Sequence, residues 1–550
     1  MRYYNLLIKA FLTLAIIYSP TISAQKATVS AQTEVAQWEQ FAQSFTCKTS
    51  GNPFTDVELS AEFIHESTND TLQICGFYDG NDTFRLRFMP TQQGKWRFIT
   101  HSNIAEMNAK RGVLLCTKPK SDCHGMVIAA EDHAFRYADG TFYHPFGTTS
   151  YAWTHASAYR QEETYASLAA SGFNKLRFCV FPNNSVNDEP SLYPFRLIRT
   201  ETDSVGKRHY VWDYNSFNPA FFQHLERSIS RLQSMQIEAD LILFSPYDEG
   251  RWGFDRMPME ANMRYLKYVV SRLSSYRNIW WSMANEWDLV KKKTLQQWKD
   301  MSCYVSEQDP YHHLLSIHGG TATYIDYNLP YFTHVSVQDQ GPLYNFEGAA
   351  TVRNIFPKPI IFDEVCYEGD HESRWAQLTG QEMLQRIWTG LIGGTYVTHG
   401  ECFCSEPNFY TGYAFLATGG QFKGTSASRI KFTRDIIESL PSPPRLADRS
   451  WDPATAAAGE GIYLIYFGDK TQREWAFSLP AKCDKWKRTA EGDRFKVDII
   501  DTWNMTITPC DTIFEVQAAA AKRMVDKQKR SVLLPNKPYI LLKISRIQGE

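Results

Sequence analysis

The sequence predicts a multidomain chain in which a central (β/α)₈ TIM barrel lies between an N-terminal and a C-terminal antiparallel β-sandwich domain. Three observations lead to this prediction. The 550 residues exceed what one hydrophobic core can organise. Buried strand patterns alternate with amphipathic helical patterns in the middle of the chain, and period-two patterns occupy both flanks. Polar side chains follow the ends of the central strands, as they do in a barrel.

The first 24 residues have the pattern of a secretory signal peptide. A basic start precedes the apolar run Ala10–Tyr18, and the small-residue site Ile22–Ala24 follows it. The run is too short to span a bilayer, and no other stretch of about 18 apolar residues predicts a transmembrane segment. The first cysteine is Cys47, so no lipid anchor is predicted at the cleavage site. We therefore expect a secreted or periplasmic protein.

Residues 25–125 predict the N-terminal sandwich. Val57–Phe63 and Phe84–Phe88 alternate apolar and polar side chains, and the turn residues Tyr78–Asn81 lie between them. Residues 441–550 predict the C-terminal sandwich after the proline-containing break Leu440–Pro444. Its strand-like segments are Gly461–Phe467, Glu474–Leu479 and Tyr539–Ile544. Neither flank shows an aromatic platform, so we expect both to support the barrel rather than bind polysaccharide.

Residues 126–440 predict the barrel, because eight strand candidates alternate with helical segments there. A doubly wound sheet would alternate in the same way, and the polar residues at the strand ends favour the barrel. The strand candidates are Tyr143–Thr148, Asn174–Phe178, Ala239–Phe244, Ile279–Ala284, Leu314–His318, Val335–Gln338, Ile360–Glu364 and Thr395–His399. The helical segments are Glu162–Ser171, Asn218–Met235, Glu260–Leu273, Thr294–Glu307, Gly380–Leu391 and Ser426–Ser439.

The charge and cysteine content exclude some classes of partner. Lys and Arg number 58 against 60 Asp and Glu, giving a net charge of −2, and no long basic run would hold a phosphate backbone. Nucleic acid is therefore not an expected partner. The 11 cysteines include one close pair, Cys402 and Cys404, with no second pair at zinc-site spacing, so no metal site is predicted. Disulfide connectivity and oligomeric state stay open.

The strongest chemical motif is Ile279–Trp287, which reads IWWSMANEW. A buried strand ends there in Asn285 and Glu286, with aromatic residues on either side. Hydrolysis of a glycosidic bond needs a carboxylic acid that protonates the leaving oxygen, and an apolar surround raises a carboxyl pKa into the useful range. Glu286 fits that role, and Asn285 could bind a sugar 2-hydroxyl. The alternative is a cap on the following helix.

A second apolar strand, in Lys358–Glu368, also runs into acidic residues. Glu364 ends this strand, which is three strands after the one that bears Glu286, so both carboxyl groups should face each other across the barrel. Asp363 and Glu368 are alternative nucleophiles, and a salt bridge is an alternative role for Glu364. A retaining enzyme separates the two carboxyl groups by about 5–5.5 Å and an inverting one by about 6.5–9.5 Å, which sequence does not measure.

These motifs resemble the clan A glycoside hydrolases, which include the family 5 enzymes. The resemblance covers about 135–440 and implies Glu286 as acid/base, Glu364 as nucleophile and Arg177 as the arginine beside the nucleophile. A structural ion pair is the alternative role for Arg177. Val337–Asp339 and Asp363–Glu368 further resemble a subgroup related to the apiosidases.

Two motifs in the N-terminal flank, Gly76–Gly80 and Arg87–Pro90, resemble the immunoglobulin-like module that precedes some agarase-like enzymes. The barrel departs from family 5 at two strand ends. That family places a Tyr near the end of strand six and a Trp at the end of strand eight, where this chain has Gln338–Asp339 and His399–Glu401. The identity of the sugar therefore does not carry over.

The remaining candidates for substrate contact lie at or after predicted strand ends. Three polar residues are open between substrate contact and a satisfied core position: His318, Gln338 and His399. Aromatic residues after the strands could stack on sugar rings or pack the loops: Tyr151, Trp153, Tyr247, Trp252, Trp287 and Tyr367.

The sequence therefore predicts a secreted retaining glycoside hydrolase that cleaves plant or algal polysaccharide or oligosaccharide by double displacement and needs no metal or organic cofactor. A catalytically inactive carbohydrate-binding protein and a transglycosylase are the alternatives. No phosphate-binding glycine loop, zinc-protease helix or serine-esterase elbow occurs in the sequence.

Overall fold

The computed structural model describes residues 33–184, 189–248, 250–321, 323–341, 346–404, 414–448, 453–482 and 489–547. The predicted signal peptide, residues 1–24, lies outside the described residues. None of the helices in the described ranges combines the length and the apolar composition needed to cross a membrane.

The N-terminal domain contains two sheets that share one core. Its strands are β1 (Thr33–Ala36), β2 (Phe41–Thr46), β3 (Leu59–His65), β4 (Thr71–Cys75), β5 (Phe77–Tyr78), β6 (Thr83–Phe88), β7 (Gly94–Ser102) and β8 (Arg111–Thr117). One sheet has the order β1-β8-β7-β3-β4 and the other β2-β6-β5, and every pair is antiparallel except β1–β8. The alternating pattern of β3 buries every second side chain. Phe63 of β3 stacks on Phe88 of β6 at 4.0 Å, which joins the two sheets.

A small three-stranded sheet covers one end of the barrel. It consists of β9 (Val127–Ala130), β10 (Ala134–Tyr137) and β11 (Phe142–Tyr143). Phe135 packs against Trp280 and Tyr396, with ring centroids 5.2 and 5.4 Å apart. Both partners lie near the starts of barrel strands, so this sheet closes the amino-terminal end of the barrel.

Eight parallel strands form the central barrel. The strands of this region are β12 (Gly147–Thr149), β13 (Lys175–Cys179), β14 (Phe195–Thr202), β15 (Arg208–Phe217), β16 (Glu238–Phe244), β17 (Ile279–Ala284), β18 (Leu315–Ser316), β19 (Val335–Gln338), β20 (Ile360–Glu364), β21 (Glu368–Gly369), β22 (Tyr396–Val397) and β23 (Glu401–Cys402). Two parallel arcs, β12-β13-β16-β17-β18 and β19-β20-β22, make up the wall. Parallel bridges between His318 and Ser336 and between Thr148 and His399 close it into a ring. The predicted barrel is therefore confirmed.

Helices follow most of the barrel strands. They are α1 (Ala158–Ala170), α2 (Pro219–Ser234), α3 (Met259–Leu273), α4 (Leu295–Gln308), α5 (Glu347–Ile355), α6 (Gly380–Ile392), α7 (Phe415–Thr418) and α8 (Ala427–Glu438). Local sequence signals explain where several of these helices begin. Asn218 caps α2 and is followed by a proline in the first turn. Thr294 and Thr379 form capping boxes at α4 and α6.

The C-terminal domain is a mainly antiparallel sheet. Its strands are β24 (Arg445–Asp448), β25 (Thr455–Ala457), β26 (Ile462–Tyr466), β27 (Glu474–Ala476), β28 (Ser478–Pro480), β29 (Arg494–Asp501), β30 (Thr506–Pro509), β31 (Phe514–Ala519), β32 (Arg523–Asp526), β33 (Ser531–Leu533) and β34 (Ile540–Arg546). In the described part of the chain, nine of them pair in the order β24-β25-β26-β34-β29-β31-β32-β28 with β30 on β29, and β27 pairs with β33. The sheet-rich character of both flanks is confirmed, and the sandwich arrangement stays a prediction.

Both flanking domains pack against the barrel. Arg87 of β6 donates two hydrogen bonds to Glu226 of α2, at 2.6 and 2.9 Å, and Arg272 of α3 donates to the same carboxylate at 2.8 Å. On the other side, Trp388 of α6 stacks on Tyr466 of β26 with ring centroids 5.9 Å apart. Helix α6 is buried along nearly its whole length because it lies between the barrel and the C-terminal sheet.

Candidate active site

Glu286 and Glu364 line the same pocket at the carboxyl-terminal end of the barrel. Glu286 follows β17 and Glu364 is the last residue of β20. The pocket has a cavity volume of about 240 Å³. Gln338, the last residue of β19, and Tyr367 also line it. Four residues that the sequence singled out from three separate strand ends therefore meet at one cavity.

The backbone and its neighbours set the properties of the Glu286 carboxyl group. Glu286 has φ 44° and ψ 56°, a left-handed conformation that is uncommon for a residue with a side chain. The Tyr247 hydroxyl donates to its Oε2 at 2.7 Å. Burial and the charge of Glu364 raise the pKa of Glu286 to about 7, although the hydrogen bond from Tyr247 acts in the opposite direction. Glu286 can therefore hold a proton near neutral pH.

The Glu364 carboxylate is held by hydrogen-bond donors. The Tyr151 hydroxyl donates to its Oε1 at 2.5 Å, and Arg177 Nη1 donates to the same oxygen at 3.3 Å. The Tyr367 hydroxyl lies 3.4 Å from that of Tyr151. Arg177 is fully buried on β13, so its charge acts on Glu364 with little screening by water. These contacts hold the Glu364 carboxylate in a fixed position.

Asn285 connects the surroundings of the two carboxyl groups. Arg177 donates to its side-chain oxygen, and its Nδ2 donates to the hydroxyls of Tyr151, at 3.3 Å, and Tyr247. Asn285 is fully buried. The hydrogen bonds therefore run from Glu286 through Tyr247, Asn285 and Tyr151 to Glu364, and this path fixes the orientation of both acids.

A second buried group lies beneath Glu364. His318 Nδ1 is 3.1 Å from Ser336 Oγ, and Ser336 Oγ donates to Asp363 at 2.5 Å. His318 Nε2 lies 3.6 Å from Glu364 Oε1. Burial and the nearby Arg177 lower the pKa of His318 to about 4, so its imidazole is neutral near pH 7. His318 lies next to the nucleophile candidate and does not line the pocket.

Asp363, an alternative nucleophile, is held away from the pocket. Lys175 donates to it at 3.0 Å and Thr398 Oγ1 at 2.8 Å. Burial acts to raise the pKa of Asp363, but the charges of Lys175 and Arg177 outweigh burial and lower it far below its usual range. Glu368, the other alternative, accepts hydrogen bonds from residues 425 and 426. Neither side chain lines the pocket, whereas Glu364 does.

Besides Asn285, Arg177 and His318, which lie behind the two acids, four predicted contact residues do not line the pocket. Trp153 is fully buried and packs edge-on against Tyr165 and Phe178. Trp252 is 1% exposed, and its backbone oxygen accepts a hydrogen bond from another buried indole. These two side chains complete the core, so the prediction that they contact substrate is not supported by their positions. Trp287 is half-buried outside the pocket lining, and His399 is fully buried.

Six further residues line the pocket. Tyr151 and Tyr247 were noted in the sequence only as aromatic residues after strands, and the structure brings their hydroxyls to the carboxyl groups. The other four were missed: Gln340, Cys366, Trp375 and Leu416. Gln340 and Cys366 follow the ends of β19 and β20 by two residues, which was an available signal. Trp375 lies in a short 3₁₀ helix and Leu416 in α7, and no strand pattern gives a direction for either side chain.

The arrangement can perform acid and nucleophile chemistry together. One carboxyl group can carry a proton near neutral pH, and the other is held by an arginine and a tyrosine hydroxyl. Tyrosine and tryptophan side chains on the walls provide apolar faces and hydroxyls that suit a sugar ring.

Comparison with known families agrees with this chemistry. A profile for the family described as "Apiosidase-like, catalytic domain" matches residues 129–401. Residues 34–103 and 451–545 match two domains of unknown function, DUF5060 and DUF5605. No curated protein matches the sequence.

Solved structures extend the likeness to nearly the whole chain. A provisionally assigned glycoside hydrolase from Bacteroides vulgatus ATCC 8482 is 48% identical with a TM-score of 0.90, and the match covers 94% of this chain and 100% of that one. A family 5 glycoside hydrolase from the same organism is 14% identical with a TM-score of 0.56, over 77% and 94% of the two chains, and shows the fold alone. The chain therefore belongs to the glycoside hydrolases, and its central barrel matches the apiosidase-like catalytic domain family.

Proposed function

We propose that the protein is an exported glycoside hydrolase that retains anomeric configuration, with Glu286 as acid/base and Glu364 as nucleophile. The observation that carries the proposal is the pair of carboxyl groups in one pocket with different surroundings. An acid/base residue must gain and lose a proton in one catalytic cycle, which a pKa of about 7 permits. A nucleophile must present a carboxylate oxygen to the anomeric carbon, and the donors Tyr151 and Arg177 hold Glu364 in place for that role.

The proposed reaction has two steps. In the first, the Glu364 carboxylate attacks the anomeric carbon, the glycosidic bond breaks, and Glu286 gives its proton to the leaving oxygen. In the second, Glu286 takes a proton from water as the water oxygen attacks the same carbon and releases Glu364. Tyr151 and Arg177 would hold the Glu364 carboxylate in line with the anomeric carbon for the first step. They would contact the same carboxylate again when the second step releases it.

The substrate class and the location are part of the proposal. The predicted signal peptide supports export, and a polymer from plants or algae is a substrate that an exported enzyme would meet. The apiosidase-like match makes apiosides one candidate group. The departures from family 5 at Gln338 and His399 leave the sugar to be determined by experiment.

The test combines a substrate screen with stereochemistry. Plant and algal polysaccharides and a panel of aryl glycosides, including an aryl apioside, are incubated with the wild type, Glu286→Ala and Glu364→Ala. On the best aryl glycoside, proton NMR should show that the first sugar released has the anomeric configuration of the substrate. Glu364→Ala should lose turnover by several orders of magnitude. Azide should restore turnover to Glu286→Ala and yield a glycosyl azide of retained configuration.

Glu372→Gln is the matched control, because this glutamate is exposed and outside the pocket. It should keep wild-type turnover. A first product of inverted configuration would contradict the retaining mechanism, and unchanged turnover in Glu364→Ala would contradict the assignment of the nucleophile.

A further inference from the structure

Three ionisable side chains outside the pocket come together near the ends of the last two barrel strands. Glu368 lies in β21, Glu401 in β23, and His399 just after β22. Their exposures are 2%, 1% and 0%. One nitrogen or oxygen atom from each lies within 4.8 Å of the others. The proposed hydrolysis does not use these groups.

The two carboxylates accept hydrogen bonds but form no ion pair among the described residues, since Lys423 acts on Glu401 and Arg429 on Glu368 only from beyond 4.0 Å. Glu368 accepts from the backbone N–H groups of Thr425 and Ser426, at 2.6 and 3.0 Å, and from both hydroxyls. Glu401 accepts from the backbone N–H groups of residues 423 and 424 at 2.7 and 2.9 Å. Among the described residues, no lysine or arginine nitrogen lies within 4.0 Å of either carboxylate. Two buried negative charges this close require a cation or a shared proton.

The carboxylates keep room for a further ligand. Each oxygen of Glu401 accepts one backbone hydrogen bond and retains a second lone pair. The hydroxyls of Thr425 and Ser426 can rotate away from Glu368, which frees a lone pair on each of its oxygens. A Cβ atom built on Gly424 would lie 2.6 Å from an oxygen of both carboxylates, so only a glycine leaves space between them.

His399 supplies an independent observation. Its Nδ1 is 3.0 Å from Thr148 Oγ1, and its Nε2 has no hydrogen-bond partner among the described residues. One of its two ring nitrogens lies within 4.8 Å of an oxygen of each carboxylate. A fully buried imidazole nitrogen without a partner is costly. The ring is fixed between Phe173 and Phe422, with centroids at 4.8 and 5.8 Å, so it cannot turn to find another partner.

We propose that Glu368, His399 and Glu401 bind a divalent transition-metal cation such as Zn²⁺ or Mn²⁺. One imidazole nitrogen and two carboxylate oxygens form a donor set that these ions accept. A tetrahedral ion with bonds of about 2.1 Å holds its ligand atoms about 3.4 Å apart, so small side-chain rotations bring the three donors together. Contact of His399 Nδ1 with Thr148 fixes the ring so that Nε2 is the ligand.

The bound ion has a structural role. It neutralises two buried charges and joins β21, β23 and the segment of residues 423–426 that leads into α8. Glu368 directly follows Tyr367, which lines the pocket, so the ion also helps to hold the Tyr367 side chain in place. The proposed hydrolysis is independent of this inference, because neither carboxyl group of the pocket is a ligand.

The test measures binding directly. The full chain is stripped with a chelator and titrated with Mn²⁺ and with Zn²⁺ by calorimetry, and thermal unfolding is followed with and without each ion. We expect one ion per chain and an increase of several degrees in the unfolding temperature. Glu401→Gln keeps the shape of the side chain and removes its charge. This variant should bind Mn²⁺ and Zn²⁺ about tenfold to a hundredfold more weakly than the wild type. Glu372→Gln should bind as the wild type does.

A second measurement keeps the inference testable if Glu401→Gln does not fold. Pulsed electron paramagnetic resonance of Mn²⁺ on the wild type should show coupling to one imidazole nitrogen. Binding of less than a tenth of an equivalent with no thermal shift would overturn the inference and point to a shared proton. Equal affinity in Glu401→Gln, or Mn²⁺ without nitrogen coupling, would also overturn it.

Discussion

At the scale of single residues, the hydroxyls of Tyr247 and Tyr151 each hold one of the two carboxyl groups of the pocket. Both hydroxyls donate to a carboxylate, and Asn285 donates to both hydroxyls. Burial beside Glu364 nevertheless raises the pKa of Glu286 to about 7. The Tyr247 hydroxyl stabilises the ionised form of Glu286, so it limits that increase.

Replacing Tyr247 with Phe should move the alkaline limit of activity to higher pH. Glu286 must be protonated to act as an acid, so kcat/KM should fall as pH rises through about 7 in the wild type. Loss of the hydroxyl removes a hydrogen bond to the ionised form and raises the pKa of Glu286 further, by about one unit. The pH profile of kcat/KM on an aryl glycoside measures this shift.

Tyr159→Phe is the control for this experiment, because Tyr159 is 74% exposed on α1. Its profile should match that of the wild type. An alkaline limit that stays in place, or moves to lower pH, in Tyr247→Phe would contradict the assignment of Glu286 as the acid that this limit reports.

The residues of the site could be predicted to the extent that their signal was local. Glu364 ends β20, and Asn285 and Glu286 directly follow β17, so the apolar run before each one marks its position in the sequence. Trp153 and Trp252 follow strands as well, but both side chains are buried in the core. An aromatic side chain after a strand can point into the pocket or into the hydrophobic core. Its direction depends on neighbours that are distant in the sequence.

At the scale of elements, buried charges connect the strands of the barrel. Lys175 of β13 donates to Asp240 of β16 at 2.6 Å and to Asp363 of β20 at 3.0 Å, and its side chain is fully buried. Asp363 directly precedes Glu364, so this ion group also positions the end of β20. Its charges are balanced only while the lysine is present.

Replacing Lys175 with Met should destabilise the barrel strongly. Two buried carboxylates would lose their shared cation, a change that costs about 3–5 kcal/mol. The midpoint of urea unfolding, followed by tryptophan fluorescence, measures the effect. Lys431→Met removes an exposed pair with Asp435 on α8 and should change stability by about 0.5 kcal/mol or less. Similar losses in both variants would contradict the role of the buried group.

Long periodic elements were predictable and short or inserted ones were not. The predicted bounds of β17, β19 and β20 match the structure, because each is an apolar run that ends in polar residues. The hairpin β14–β15 was missed, since β14 is exposed and carries no apolar alternation. Strand β18 spans only two residues where five were predicted, because backbone pairing on that side of the barrel is short.

At the scale of the whole molecule, the N-terminal domain meets the barrel through buried ions. Arg87, Asp79, Glu226 and Arg272 are all at most 8% exposed, and Arg272 donates to both acids at 2.8 Å. The sequence predicted the two domains but not this contact, because the four residues come from segments nearly 200 positions apart.

Replacing Glu226 with Gln should loosen the N-terminal domain. Arg87 would lose its carboxylate partner and Arg272 would keep only Asp79, at a cost of about 3–5 kcal/mol. Thermal unfolding should shift to lower temperature, and limited proteolysis should cut first between the N-terminal domain and the barrel. Glu162→Gln is the control, because its pair with Arg231 is exposed. Equal protease resistance in both variants would contradict a supporting role for the interface.

The same four ions restrict how this protein can change during evolution. A neutral substitution at any one of them leaves an opposite charge unpaired in a buried interface, and for Arg87 or Asp79 an unpaired partner lies in the other domain. Recombination that exchanges the N-terminal domain for one from another protein would remove Asp79 and Arg87 together and leave Glu226 and Arg272 without them. We therefore infer that these two domains are inherited as a unit and diverge together, while the exposed surface of each remains free to vary.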